Sequence, residues 1–446
     1  MRLFLLGIIS AYLFFILVNF FNPALFDDLL VKPSIGLTSL RNAQYLKDAS
    51  FPEWFFFPER NDKKGAYTYN AGAMWGDATL LTAADKNEVL LIDNSGKVLY
   101  RWSAKFYDIW PHPTHISYPL PAKHITLHRA YLDPSGNGDI YVFFFGGGGI
   151  VYEYGMAKLD KDSKVLWSLP MPVHHDMAFL PDGTLLTFIS EFTETVDKDL
   201  FNFKPPYLKE SLLFLDKSDG HVLKKVPILD ALSKSNANAF INTLGNIPLD
   251  GFLRVGDILH PNTITPVPDS VIGKAPMLKA HRVLLSFRNL NLLSIINLET
   301  LEIEWSSFGP WHGQHSPVFL DNGHLAMLDN LGGMAQTDGS RVIEVDLNTM
   351  GIVWSYNGTK ENPFTTIYNG SVDALPNGNL LVTETHSGRL FELTKDKEIV
   401  WEYYVPERYM YTGTAGSRFP KDKQRIPSIF TAKRYLQKDL PFLSVK

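Results

Sequence analysis

Between Gly313 and Asn330 the chain reads Gly-Gln-His-Ser-Pro-Val-Phe-Leu-Asp-Asn-Gly-His-Leu-Ala-Met-Leu-Asp-Asn. Two apolar runs flank an Asp321-Asn322-Gly323 turn, which predicts a β-hairpin. His315 then stands at the mouth of the first strand and Asp329-Asn330 at the end of the second, so both open on one side of a sheet. The chain writes this pattern again at His175-Asp-Met-Ala-Phe-Leu-Pro-Asp-Gly-Thr-Leu-Leu-Thr-Phe and at His128-Arg-Ala-Tyr-Leu-Asp-Pro, returning through Asp139-Ile-Tyr-Val-Phe-Phe. A longer loop joins His260-Pro-Asn-Thr-Ile-Thr-Pro to His281-Arg-Val-Leu-Leu-Ser-Phe-Arg288, and Ser371 to Glu384 keeps the hairpin without a His.

A second pattern follows each hairpin: a polar turn, then a strand that usually carries Trp. It recurs ahead of Trp102, Trp167, Lys225, Trp305, Trp354 and Trp401. Six units of about four strands, with no helical periodicity of comparable length, predict an all-β chain folded as a six-bladed β-propeller over residues 65–405. In that architecture the innermost strands line a central channel. The four repeated histidines would therefore face one another at one mouth, although the whole chain holds only 13 His. A lone strand histidine is usually a satisfied structural residue; four in register predict an imidazole-lined pocket.

Composition changes the picture at three points. A net charge of −5 with no basic stripe excludes nucleic acid as a partner, and the absence of Cys excludes disulfides, thiol nucleophiles and Cys-based metal sites. Leu3 to Phe21 is apolar except for Ser10 and Asn19, with Arg2 before it and Asp27-Asp28 after it. That stretch predicts a transmembrane signal anchor over 1–26, leaving the propeller on the periplasmic, extracytoplasmic or lumenal side, with a cleaved signal peptide as the rival. Residues 27–64 form a connector ending in the aromatic Trp54-Phe-Phe-Phe57, expected to pack against the propeller or a membrane surface. Residues 406–446 are expected to close the ring or wrap its edge. A helix near Ile228 to Ala237 opens an excursion, running to Gly256, that could lie over the channel mouth. Gly146–Gly149 lacks the Lys-Ser/Thr ending of a phosphate loop, and the sequons at Asn357 and Asn369 would matter only in a eukaryotic lumen.

Taken in order, His175-Asp before an Asp-Gly turn, Gly256-Asp257 before His260-x-Asn-Thr-Ile, Ser286-Phe-Arg288, Gln314-His315 with Asp329-Asn330, and Ser387-Gly-Arg-Leu-Phe-Glu-Leu resemble the PAPS-independent arylsulfotransferases of the six-bladed propeller type. The resemblance runs from about residue 65 to 405. It implies transfer of a sulfuryl group from a phenolic sulfate ester to a phenol by way of a transiently sulfated histidine, without PAPS, metal or other cofactor. By the same resemblance His315 is the nucleophile and His260, Arg288 and His175 its catalytic companions. His128, Asn262 and Asn330 are taken as substrate-binding. In-line sulfuryl transfer spreads charge over three equatorial oxygens, as phosphoryl transfer does, and Arg288 offers a permanent planar donor fork for them. Neutral imidazole is a competent nucleophile near pH 7. Trp110, Trp311, Phe145 and Tyr368 are candidate walls for a phenol.

This chain departs from the enteric-type enzymes in lacking their separate β-sandwich and cysteine pair, so oligomerisation through that domain is not implied. Two other classes stay open at this stage. A metal-dependent propeller hydrolase or lactonase would use Asp176, Asp329 or Glu384 beside the histidines, and a membrane-tethered interaction propeller would use none of them.

Overall fold

The computed structural model describes residues 55–116, 119–146, 153–193, 195, 207–244, 256–333, 339–410 and 424–444. The expected membrane anchor, most of the connector, and the end of the excursion before Gly256 lie outside these residues. Among the described residues no helix is long and apolar enough to cross a membrane.

The structure is all-β, as the pattern predicts, and consists of consecutive antiparallel sheets. Six are named here I to VI. Sheet II holds Ile125–Leu132, Ile140–Gly146, Glu153–Leu159 and Val165–Leu169. Sheet III holds Val173–Phe179, Thr184–Thr193, Tyr207–Asp216 and Val222–Pro227. Sheet IV holds Pro261–Pro266, Arg282–Phe287, Leu292–Asn297 and Ile303–Phe308. Sheet V holds His315–Phe319, Leu325–Gly333, Gly339–Asp346 and Gly351–Tyr356. Sheet VI holds Ser371–Ala374, Leu380–Glu384, Arg389–Leu393 and Ile399–Tyr404, with Gly65–Thr68 added at its outer edge. Sheet I is assembled from both ends of the described chain. Ile429–Tyr435, from the segment expected to close the ring, pairs as the first strand with Ala78–Ala83, followed by Glu88–Asp93 and Val98–Ser103.

The first strand of each sheet packs against its neighbours, and sheet VI packs in turn against Ile429–Tyr435 of sheet I. The strands form for local reasons that recur. In the turn before each last strand a side-chain oxygen accepts backbone N–H groups: Asp93 from Ser95 and Lys97, Asp160 from Asp162 and Lys164, Asp216 from Ser218, Asn297 from Glu299, Asp346 from Asn348. Such Asx turns reverse the chain without leaving donors unpaired.

The tryptophans of the last strands join sheets. The indole N–H donates to a carbonyl of the following sheet from Trp102 to Gly138 (2.9 Å), Trp354 to Lys395 (2.8 Å) and Trp167 to Lys217 (3.3 Å). Trp401 does the same from sheet VI to Asn94 of sheet I at 2.9 Å, so one contact type serves the seam between chain ends as well. Apolar clusters fill the spaces between adjacent sheets, among them Trp401 with Leu81, Leu381 and Ile429 and Trp102 with Leu127 and Val142.

Two short helices, Ile228–Ser233 and Asn238–Leu244, stand where the sequence predicts one. Ile228, Leu229, Leu232 and Ile241 bury themselves in the core between sheets III and IV. Trp110 and Trp311 do not join the histidines: Trp110 packs on Phe106 and Phe144, and Trp311 is buried beside Leu293 and Met327 with its N–H on the Asn291 carbonyl.

Candidate active site

In five of the six sheets the first strand breaks register near the histidine end. The ladder shifts between Ile429 and Thr431, Leu127 and Arg129, His174 and Met177, Pro261 and Thr263, and His315 and Val318. Each break is a bulge, which re-aims a side chain that regular pleating would send into a sheet face. His175 (φ 58°), His260 (φ 50°), Ser316 (φ 52°) and Asn369 (φ 58°) hold left-handed backbone there. Such conformations cost energy for non-glycine residues and cluster at functional sites. The bulges and left-handed turns thus hold Phe430, His128, His175, His260, His315 and Asn369 at equivalent places, one per sheet.

His128, His175, His260 and His315 come together. The His175 ring lies 4.7 Å from His260 and 6.2 Å from His128, centroid to centroid, nearly perpendicular to each. Arg288 and His260 are among the charges that act on His315, and Asn369 hydrogen-bonds His128. Arg288 does not end its strand, as the sequence suggests, but opens a short 3-10 turn, Arg288–Leu290. Its backbone N–H donates to the His260 carbonyl (3.1 Å) and its guanidinium to Asn289 Oδ1 (2.9 Å), while Asn289 Nδ2 donates to the Asp257 carbonyl (2.7 Å). One small bracket therefore carries Arg288, His260 and Asp257.

The hydrogen bonds assign the tautomers. His315 Nδ1 lies 3.0 Å from the Gly313 carbonyl and 2.7 Å from Asn330 Oδ1. Asn330 Nδ2 is spent on the carbonyls of Thr366 (2.5 Å) and Asn369 (2.9 Å), so the atom facing His315 is the amide oxygen. Both neighbours of Nδ1 accept. Nδ1 consequently carries the proton, and the lone pair resides on Nε2. His260 Nδ1 likewise donates to the Asp257 carboxylate at 2.5 Å.

Burial, the largest effect, holds His315, His175 and His128 well below the ordinary imidazole pKa. Arg288 adds to this at His315; His260, His174 and His128 add to it at His175; Arg129 and His315 add to it at His128. The rings are therefore neutral at pH 7. A neutral, fully buried imidazole with its Nδ1 proton pinned presents a nucleophilic lone pair.

Asn262 sits in the same layer, but both ends of its amide are engaged: Nδ2 donates to the Gln314 carbonyl at 2.7 Å and Oδ1 accepts from Thr263 Oγ1 at 3.2 Å. It ties sheet IV to sheet V beneath His315. Ser316 extends the tie, taking Thr263 Oγ1 on its N–H and bonding Val372 of sheet VI through its hydroxyl.

Aromatic rings pack beside the histidines. Phe145 and Phe430 lie 4.7 and 4.6 Å from the His128 ring, Phe55 packs on both, Phe57 stacks on His386 at 4.0 Å, and Tyr368 meets His386 at 4.3 Å. Phe56–Pro58 reaches this end by pairing with Gln424–Pro427. Beyond the histidines, toward the hairpin turns, the first strands enclose a chamber of about 510 Å³ that includes Arg129, Tyr131, Asp176, Asp373 and Lys433.

The carboxylates of the metal reading have other partners. Asp176 accepts from Tyr131 and from the N–H of Met177 and Ile264. Asp329 accepts from His312 N–H, Gly332 N–H and Arg341, and Glu384 from Arg60 and Arg389. Among the described residues no group of three or more His, Asp or Glu could hold a metal ion.

Sequence reasoning missed Arg129, Glu210, Phe430 and the role of Asn369. Arg129 and Asn369 adjoin repeat positions and were within reach of a stricter alignment of the units. Glu210 had a fainter signal, a buried acid within the apolar run Tyr207–Asp216.

A protein-family model described as arylsulfotransferase (ASST) matches residues 136–405, more than half of the chain. The chain belongs to the arylsulfotransferase family. No curated protein sequence matches it. Among solved structures, a protein of unknown function from Bacteroides caccae is similar over 74% of this chain and 94% of its own, at 14% identity and a TM-score of 0.43. The Dos1 propeller is similar over 81% of this chain and 78% of its own, at 11% identity and a TM-score of 0.38.

Proposed function

We propose that this arylsulfotransferase-family protein moves a sulfuryl group from a phenolic sulfate ester to an acceptor phenol through a sulfo-histidine at His315, its six sheets acting as the blades of a propeller around the site. The observation that carries the reading is the assignment of the His315 proton to Nδ1. In the first half-reaction the Nε2 lone pair attacks sulfur, the S–O(aryl) bond breaks, and its electron pair leaves on the phenolate, which takes a proton. In the second, the acceptor oxygen attacks the same sulfur, the N–S bond breaks, and the phenolic proton passes to a base.

Arg288 offers a planar donor pair to the equatorial oxygens. His260, backed by Asp257, and His175 supply donors and bases on the adjacent sheets. Phe145, Phe430 and Phe55 give an aromatic wall against which a phenyl ring stacks. The burial that keeps the imidazoles neutral also strengthens each polar contact once an anion enters. The apolar stretch Leu3 to Phe21 supports a membrane-anchored protein with the site outside the cytoplasm.

The test uses 4-nitrophenyl sulfate as donor and phenol as acceptor. The expected result is release of 4-nitrophenol, formation of phenyl sulfate, and one SO3 on the His315 peptide when acceptor is withheld. A protein that releases 4-nitrophenol only to water, with no sulfated peptide, is a hydrolase and overturns the reading.

A further inference from the structure

Behind His175 runs a buried chain of polar groups, His174, Glu210 and Ser190, that takes part in no step of the proposed reaction. His175 Nδ1 lies 2.9 Å from His174 Nδ1, and His174 Nε2 lies 2.8 Å from Glu210 Oε2, which also accepts from Ser190 Oγ at 2.8 Å. The chain crosses sheet III from its first strand to its third through the paired positions His174–Phe188 and Ser190–Glu210. The His174 ring stacks on Phe188, with centroids 5.6 Å apart. Glu210 and His174 are each 2% exposed and His175 is 5% exposed, so water does not replace these bonds.

The proton positions follow from the donors available. A carboxylate only accepts, so His174 Nε2 carries a proton directed at Glu210. Taking His174 as neutral, its lone pair lies on Nδ1, and the bond to His175 forms only if His175 Nδ1 donates. In that state the carboxylate sets the tautomer two rings away and leaves the lone pair of His175 on Nε2. A protonated His175 would face His128 and Arg129 of sheet II, His260 of sheet IV, and Asp176 on its own strand. Of these, Arg129 carries a fixed positive charge. Passing the Nδ1 proton to His174 moves the positive charge one ring away, against Glu210.

We propose that Glu210 and His174 are positioning residues that fix the tautomer of His175 and take up its charge, making His175 the base for the acceptor phenol. When Nε2 receives the phenolic proton, the Nδ1 proton shifts to His174, whose Nε2 proton stays shared with Glu210. No atom is lost and no co-reactant is needed. The pair His260–Asp257 is a shorter device of one ring, so the two differ in where the charge ends. The proposal rests on the sulfuryl-transfer reading for its catalytic part and on the hydrogen-bond geometry for its tautomer part.

Glu210→Gln keeps an acceptor oxygen for His174 and removes only the charge. With 4-nitrophenyl sulfate the burst of 4-nitrophenol, whose leaving group needs no proton, should change less than about threefold. Desulfation by phenol at pH 7 should fall about tenfold or more, as for other charged groups that act through a neighbouring ligand. It should recover as the pH approaches the acceptor's own pKa. His174→Gln should show the same split. Equal losses in both half-reactions, or none, overturn the catalytic part. Spectra of the 15N-histidine-labelled protein without donor should show His175 as the Nδ1–H tautomer, and that assignment should weaken in Glu210→Gln. An Nε2–H His175 in the wild type overturns the relay whether or not sulfate is transferred, while a missing sulfo-histidine with the Nδ1–H tautomer intact removes only the function.

Discussion

The first and last strands of the sheets solve opposite problems with the same repeating unit. Last strands, each with a register shift of its own, sit mostly half in water, and four of the six carry indoles that hydrogen-bond the next sheet. In five of the six sheets the first strand is bulged at the histidine end, where residues such as His175 and His260 hold positive φ and imidazoles are buried against one another and against aromatic rings. The contrast shows where stability and chemistry reside. The last strands supply packing between sheets; the first strands spend some of that stability on pre-organised polar groups.

The largest separation between the two regions is expected from His315→Asn. It should lower sulfate transfer from 4-nitrophenyl sulfate by about 10³-fold or more, because a nucleophile has no substitute, while the thermal midpoint stays near that of the wild type. A variant keeping a tenth of the activity would remove His315 from the chemistry. The reverse case is Trp401→Ala. Loss of this fully buried indole at the seam should cost about 3–5 kcal/mol in denaturant unfolding, yet the protein that remains folded should turn over normally.

A third expectation concerns pH. His128, His175 and His315 titrate below the usual range in the folded chain, whereas unfolded histidines take up protons near 6.5. The unfolded state thus binds more protons, and stability, complete above about pH 6.5, should decline as the pH drops below it. Unfolding midpoints from pH 8 to pH 5 measure this. His128→Phe should flatten the decline, and an unchanged slope would mean that the histidine layer is open to water. The smallest effect is expected at Leu223→Lys, on the one last strand without Trp, where the side chain is half exposed. A shift beyond about 0.5 kcal/mol would show that sheet III closes through this edge after all.

Much of this was legible in the residues themselves. Period-two apolar runs between Asp-Gly, Asn-Gly and Lys-Asp turns determine hairpins locally, because turn chemistry and strand pleat act over a few positions. Repetition of the unit then determines the all-β class and puts four histidines in register. The grouping of His175, His260 and His315 is a consequence of repetition, so it could be read before any coordinates.

What tertiary structure alone decided depends on contacts between distant segments. Ile429–Tyr435 reads as one more strand, and only the meeting of the chain ends makes it the inner strand of sheet I. Trp110 and Trp311 look like pocket aromatics until packing commits them to the core. Asp176, a plausible metal ligand on paper, accepts from Ile264 N–H across a sheet boundary. The protons of His315 and His175 are assigned by Asn330, Gly313, His174 and Glu210, through bond lengths and directions that no pattern of residue types encodes. Local sequence sets which strands form, because its forces are short-ranged; the chemical state of each imidazole is set by burial and by neighbours that only the assembled sheets bring within 3 Å.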